Sequence, residues 1–577
     1  GAQPMVTPDG RLGVVFNGAI YNFQALRAEL ERGGAVFRSR TDTEVLLHGY
    51  RAWGLDALVA RLRGMFAFAL WDEERQRLAL VRDRLGVKPL VYALGADGSL
   101  SFASTVHALD RARGGGGGGA LDPRAVADVF EYGYVDEQRA IVGGLAKLPP
   151  ATILEWTPDG RTTQRRYWTP PAAGSSGAIS FEEAVEETER RLLRAVELRL
   201  QADVPVAALL SGGIDSALVC WAIRTLGGDV RAFTVATPGH AADESAAALA
   251  TAREIGIPCT VREMTALDDA VLGELVDAYP EPFAVASALG MLRVSQAVRE
   301  SATVLLTGDG GDDVFLGYPR HRWMLDIQRY ARLTPSAAGA AWRAVRGAVP
   351  ARGAWKRARH LVDYATGGLG AFLSATPGLP ALRARGILGE RLAAITVDAR
   401  RIPQSVAAAR RVLGEYLEHD LQHQFVAEYL AKVDGATMYW GLEARSPFLD
   451  QELWEFAASL PYEVRLHRGE LKAILREIVR RRISPRAASE RKRGFSIPVE
   501  HWMQTRWRAL AADTLADARL ADEGMIRIAP TLAALRDPVL PEDTARQLWY
   551  VLVTEFWLRA RGQAPVAEPS LRAATVG

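Results

Sequence analysis

Between residues 204 and 307, short apolar runs alternate four times with stretches of helical periodicity. The apolar runs occupy 204–210, 230–237, 258–264 and 302–307, and the helical patterns fill 216–226, 244–255, 267–279 and 288–300. Strands that lie parallel in one sheet need a crossover of about a dozen residues or more between them, and a helix supplies it. The alternation predicts a parallel, doubly wound sheet. Ligands of such a sheet bind beyond the carboxyl ends of its strands.

The rest of the chain has a different texture. Upstream come short β-type runs, LGVVFNG, MFAFALWD, LALVRD, LVYAL and SFAS, separated by turn residues, which predict antiparallel sheets. Beyond Tyr318 the pattern is mostly helical. Six consecutive glycines, Gly114 to Gly119, read as a flexible surface loop. The Pro-, Gly- and Ser-rich stretch from Thr169 to Ala178 suits a linker. The expected division is an N-terminal unit over 1–170, a linker at 171–180 and a second unit over 181–577. A length of 577 residues fits several domains, and 49% hydrophobic with 24% charged residues fits a soluble globular protein. A net charge of +2 gives no reason to expect a nucleic-acid or membrane partner. No apolar run reaches about 18 residues, as a transmembrane helix would need. Cys220 and Cys259 cannot build a disulfide framework, so a reducing cytoplasm is expected.

Two loops end apolar runs at the same predicted sheet edge. After Leu210 comes Ser211-Gly212-Gly213-Ile214-Asp215-Ser216, and after Leu306 comes TGDGGDDVFLGY, residues 307–318. Glycines ahead of a helix N-terminus can cradle phosphate through backbone N–H groups. Carboxylates beside phosphate make sense when magnesium joins them, because that ion prefers oxygen ligands. A tight turn and a solvated acidic loop would explain either segment alone, but not the pair at one edge. The chain has no GxxxxGK[ST] phosphate loop. The SGGIDS segment instead resembles the pyrophosphatase loop of adenylating ATP enzymes.

LEARSPFLD (442–450), AKVDGATM (431–438), GELKAIL (469–475), KRGFSIP (492–498) and the 307–318 loop resemble the synthetase domain of glutamine-hydrolysing asparagine synthetases. VVFNGAIYN (14–22), RTDTEVLLH (40–48), LRGMFAFALWD (62–72) and DRLGVKPLVYA (83–93) resemble the class II glutamine amidotransferase domain. The resemblance implies a mixed α/β and α+β chain. An N-terminal-nucleophile antiparallel β sandwich, incomplete at its start, would precede a doubly wound ATP-pyrophosphatase domain with a helical C-terminal part. It implies ATP and Mg2+, with Asp215 and Asp312 as metal ligands. Ser211, Gly212, Gly213 and Ser216 would hold pyrophosphate, and Leu209, Thr307 and Gly308 would line the nucleotide site. Lys472 would meet phosphates and the developing adenylate charge, and Asp309 would stand near the attacking ammonia. Asn17 and Gly18 would form an oxyanion hole, and Asp42 would hold the glutamine amine. Glu443 and Arg445 are expected to form an ion pair that fixes their turn. His419 and His423, four apart, are expected to be a solvated or packed pair rather than metal ligands.

Three departures from the family pattern stand out. The family's glutaminase uses an N-terminal cysteine, whereas this sequence opens at Gly1, so the chain as given is not expected to hydrolyse glutamine. NGAIYN replaces the usual NGEIYN. PEPFAVASA (280–288) replaces the usual DEPFADxSA, losing two acids at Pro280 and Val285, which favours a bulkier or less charged acceptor than aspartate. The leading expectation is an amide-forming ligase that adenylates aspartate or a related carboxylic acid for attack by ammonia, with glutamine or ammonia as nitrogen source. Ring closure of the β-lactam-synthetase kind and a non-catalytic relative are the alternatives, and a homodimer is left open.

Overall fold

The computed structural model describes residues 2–114, 119–228, 231–236, 243–263, 269–350, 353–490 and 497–561. The centre of the glycine run, 115–118, the start of one helical pattern, 267–268, and most of KRGFSIP, 492–496, lie outside the described residues.

The first nine strands are β1 (Met5–Val6), β2 (Leu12–Ile20), β3 (Gly64–Asp72), β4 (Arg77–Arg82), β5 (Val91–Leu94), β6 (Leu100–Ala103), β7 (Ala146–Lys147), β8 (Thr152–Trp156) and β9 (Thr162–Arg166). They form a six-stranded antiparallel sheet, β1-β2-β3-β4-β8-β9, and a three-stranded one, β6-β5-β7. Side chains alternate across a strand, and β3 uses both faces. Phe66, Phe68 and Leu70 pack with Leu46, Leu58 and Val59 of the helix Thr43–Arg61. Ala67 and Ala69 face the small sheet, against Leu90 and Leu148 with Tyr92 and Phe102. The antiparallel sandwich expected from the sequence is therefore present, with helices on its outer face.

A capping box at Ser180 and Glu183 starts the helix Phe181–Arg199. The parallel sheet follows, with β10 (Val206–Leu209), β11 (Arg231–Ala236), β12 (Cys259–Glu263), β13 (Val304–Leu306) and β14 (Glu443–Arg445) in the order β12-β11-β10-β13-β14. All four pairings are parallel. The first four strands fall within the ranges read from the sequence. The fifth, β14, was taken for part of a turn, and the structure instead pairs Glu443, Ala444 and Arg445 with Val304, Leu305 and Leu306. Leu218 and Ile223 cover one face of the sheet with Ile474 and Ile478. Val298 and Leu442 cover Ala207, Phe233 and Leu305 on the other.

Most of the remaining chain is helical. The final helix, Glu542–Arg561, runs through the largest core, where Trp549 stacks on Trp507 with ring centroids 5.1 Å apart. That core also takes in Val126 and Phe130 from the N-terminal half. Ion pairs join the halves directly: Arg63 to Asp450 at 2.7 Å, Lys88 to Asp434 at 2.8 Å and Lys147 to Glu281 at 2.6 Å. Among the described residues no helix is long and apolar enough to cross a membrane.

Candidate active site

β10 and β13 are neighbours in register, with Ala208 opposite Leu306, so the loops that leave them emerge side by side. In the first, the backbone N–H of Ser211 donates to the Ser216 hydroxyl at 3.1 Å, and the two hydroxyls lie 2.9 Å apart. The Gly213 N–H donates to Ser211 Oγ at 3.2 Å, and the Gly212 N–H reaches Glu244 Oε2 at 3.3 Å. Asp215 stands in the first turn of the helix Ile214–Thr225, where the helix dipole favours a negative charge.

The second loop closes onto the first because glycine lets it. A Cβ on Gly308 would lie 2.8 Å from Asp215 Cβ, and one on Gly311 would lie 2.7 Å from Asp215 Cγ. Asp312 sits in the short helix Gly311–Val314. The carboxylates of Asp215 and Asp312 meet on one cation. Lys472 Nζ is 2.5 Å from Asp215 Oδ2 and 2.7 Å from Asp312 Oδ1. Lys472 is only 6% exposed. It heads the helix Ala473–Arg482 in the left-handed conformation, φ 54°. That geometry costs a non-glycine residue of order 1–3 kcal/mol and persists only where the surroundings enforce it. Burial works against the ammonium charge, but the two carboxylates outweigh it and hold the Lys472 pKa above its ordinary value. Lys472 is therefore not an exposed lysine on a helix surface. Gly317 completes the packing, since a Cβ there would fall 1.9 Å from Asp312 Oδ1 and 2.3 Å from Lys472 Cε.

Leu209, the last residue of β10, packs against the cluster that holds Phe233 and Leu305, and the Thr307 N–H donates to the Arg445 carbonyl at 3.0 Å. Asp309 lies between Gly308 and Gly310 in the same loop. Its carbonyl accepts a hydrogen bond from the Ser446 hydroxyl, and the residue lines a cavity of about 30 Å3. Thr307, Ala444 and Ser446 form part of that wall, while Tyr21, Gly64 and Met65 of the N-terminal half form another part. Gly64 and Met65 pair with Ile20 and Ala19 at the end of β2, the strand that also carries Asn17 and Gly18. Asp42 reaches the same strand end, where its Oδ2 accepts from the Ile20 N–H at 2.8 Å. Burial raises the Asp42 pKa despite that hydrogen bond. Thr307 and Asp309 thus share a cavity wall with residues paired to the end of the strand that carries Asn17 and Gly18. Sequence reasoning missed Ser446, Tyr21 and Gly317, whose spacing along the chain carries no local signal. Glu244 was missed as well, although it begins a helix at the neighbouring strand's end.

Other expectations resolve differently. Glu443 and Arg445 form the expected ion pair at 2.6 Å, and Arg445 also donates to the carbonyls of Arg199 and Gln201. The rings of His419 and His423 stack at 4.2 Å, and His423 Nδ1 lies 2.6 Å from Asp136. Burial pushes both cysteine thiols up, so neither is an activated nucleophile. Pro280 lines a separate cavity against the N-terminal half, together with Tyr279, Glu281 and Phe283. Val285 packs against the C-terminal helical core. Neither lies in the wall that Asp309 shares.

Comparison with known proteins places the chain among relatives. The family described as asparagine synthase matches residues 187–559, and the glutamine amidotransferase domain matches residues 1–168. The chain is 27% identical to glutamine-hydrolyzing asparagine synthetase 1 of Bacillus subtilis, over 96% of this chain and 87% of that protein. It is 30% identical to a putative glutamine-hydrolyzing asparagine synthetase of Mycobacterium tuberculosis, over 96% and 85% of the two chains. It is also 28% identical to amidase chry2 of Gibberella zeae, over 87% of this chain and 79% of that one. With an amidotransferase domain leading into a synthetase domain that fills more than half its length, the chain belongs to the asparagine synthase family, the ATP-dependent amide-forming ligases.

Proposed function

We propose that the chain activates a carboxylic acid, aspartate or a relative, as its acyl-adenylate and converts it to an amide. A carboxylate oxygen attacks the α-phosphorus of ATP and pyrophosphate leaves. Ammonia then attacks the acyl carbon, AMP leaves, and a proton is released. The observation that carries this reading is the meeting of Asp215 and Asp312, from two glycine-rich loops, on the buried ammonium of Lys472. Asp215 and Asp312 supply two hard oxygen donors, the set Mg2+ uses when phosphates complete its shell. When bound, that ion neutralises phosphate charge. Ser211, Gly212, Gly213 and Ser216 grip the leaving pyrophosphate, while Leu209, Thr307 and Gly308 line the nucleotide. Lys472, which bridges the two carboxylates in this structure, stabilises the charge that develops as pyrophosphate departs.

Asp309 receives the ammonia. Its place in a cavity walled by both halves supports delivery from the N-terminal side, where Asn17, Gly18 and Asp42 would hold glutamine. In this reading 1–170 supplies nitrogen, 171–180 links, and 181–577 makes the amide, in the cytoplasm and without a nucleic-acid or membrane partner. The test is pyrophosphate release from ATP with ammonia and a panel of carboxylic acids. Asp215→Asn should lower it at least ~10²-fold, the order seen when one charge-stabilising group is removed, with the fold intact by circular dichroism. Parent-like turnover in that variant refutes the assignment.

A further inference from the structure

A second cavity, of about 310 Å3, lies where the helix Pro123–Tyr132 meets the helix Val412–Gln422 and the final helix. None of Asp215, Asp309, Asp312 or Lys472 lines it. Its volume falls in the range of small-molecule sites. Seven carboxylates line it against three guanidiniums. Two of the guanidiniums are taken up by carboxylates: Arg139 holds Asp128 and Asp398, each at 2.6 Å, and Arg546 holds Glu500 at 2.7 Å. The third, Arg320, stacks 4.4 Å over the Tyr318 ring and donates to the Tyr429 hydroxyl at 2.8 Å.

Asp420 and Glu428 hydrogen-bond to neutral groups, and the nearby charges of Arg320 and, for Glu428, Lys432 only partly offset the cost of burying them, which raises both pKa values. Asp420, 4% exposed, accepts from the Tyr416 hydroxyl at 3.0 Å, and Glu428 accepts from Gln424 at 2.7 Å. Among the described residues neither forms an ion pair. Two further polar groups line the wall. Tyr134 is 6% exposed. Gln547 is 3% exposed, and its Oε1 is unsatisfied. Buried carboxylates are costly unless paired with a cation. An ammonium hydrogen-bonding to Asp420, Glu428, Tyr134 and the open Gln547 Oε1 would add the charge that Arg320 and Lys432 do not fully supply, beside the rings of Tyr134, Tyr416 and Tyr550.

We infer that this cavity binds a small organic cation bearing a primary ammonium or guanidinium group, a role separate from the ATP chemistry proposed above. The amine belongs either to an effector or to the far end of an acceptor acid, and the probes distinguish the two. Isothermal titration calorimetry of the full chain without ATP would use 1,4-diaminobutane, agmatine and lysine, with 1,4-butanediol as the neutral control. The amines should bind saturably and the diol should not. Asp420→Asn and Glu428→Gln should each weaken binding at least tenfold, and Tyr134→Phe, which removes one oxygen, should weaken it at least threefold while preserving the circular dichroism spectrum. If lysine alone also drives AMP formation with ATP and ammonia, the site holds the acceptor's amine; if amines bind without AMP formation, it holds an effector. Absence of amine binding at millimolar concentration, equal binding of the diol, or unchanged affinity in the folded Tyr134→Phe and Glu428→Gln variants overturns the inference.

Discussion

One methyl group at Gly317 should disable the site. A Cβ built there would lie 1.9 Å from Asp312 Oδ1 and 2.3 Å from Lys472 Cε, where ordinary contact begins near 3.4 Å. The carboxylate and the lysine tail must therefore retreat by more than an ångström in opposite senses. Both are buried, so the adjustment falls on the cluster rather than on solvent-facing atoms. Forcing a methyl into a packed interior costs about 1–3 kcal/mol, and a misplacement of about 1 Å in a catalytic constellation costs roughly 10²-fold in rate. Gly317→Ala should accordingly lose about two orders of magnitude in ammonia-dependent AMP formation, while its thermal midpoint falls by no more than about 2–4 °C. Gly347→Ala is the control, because a Cβ there meets nothing within 4 Å. Both proteins would be assayed for AMP by chromatography and for melting by scanning fluorimetry. If Gly317→Ala turns over within twofold of the parent, the geometry drawn around Lys472 is wrong.

Lys472→Met removes the cation between two buried carboxylates and should lower AMP formation by about 10²–10³-fold. Lys472→Arg should not restore it, since Gly317 leaves the lysine tail no room to thicken; recovery by arginine in the same AMP assay would contradict the packing. His321 is fully buried, and burial, with Arg320 nearby, pushes its pKa down to about 3. Between pH 6.5 and 3 the unfolded chain therefore binds the proton that the folded chain refuses, so this group makes stability fall as pH drops, by at most about 1.4 kcal/mol per pH unit. His321→Phe should flatten the difference between urea midpoints at pH 7 and pH 4.5, and an unchanged difference would count against this account. Arg63 binds both Asp450 and Glu452 across the two halves, and once Arg63 is truncated Asp450 keeps one cation among the described residues, Arg199 at 3.1 Å, beside the N–H groups of Glu452 and Leu453. Arg63→Met should cost roughly 1–3 kcal/mol and speed limited proteolysis of the 169–178 stretch; parent-like proteolysis would show that the clamp does not matter.

The sheet was legible because its signals are local. Apolar runs such as Val206–Leu209 and Val304–Leu306 lead into glycines within a few residues and then helical periodicity, and the acids lie within a few residues of the strand ends. β14 was not legible, because Glu443-Ala444-Arg445 has two charges in three residues and becomes a strand only by pairing with β13. The residues expected to hold ATP and metal were readable from motif resemblance, yet nothing in GELKAIL shows that Lys472 adopts a positive φ and turns into the interior. The same limit explains Pro280 and Val285. The family pattern set an expectation for the acceptor there, and nothing in the segment shows that Glu281 pairs with Lys147 or that the backbone carbonyl of Ala284 accepts from Trp549. Seated against the N-terminal half and the last helix, this segment depends on contacts between residues hundreds of positions apart.

The central claim is that a carboxylate oxygen attacks the α-phosphorus of ATP at the Asp215–Asp312–Lys472 centre. Oxygen-isotope transfer tests it most directly. The full chain would be supplied with ATP, Mg2+, ammonia and a panel of carboxylic acids, aspartate included, each labelled with 18O in the reacting carboxylate. The account predicts AMP carrying one 18O atom, together with the corresponding amide, both read by mass spectrometry. Unlabelled AMP from every acid, or ADP and labelled phosphate in place of AMP and pyrophosphate, would contradict it.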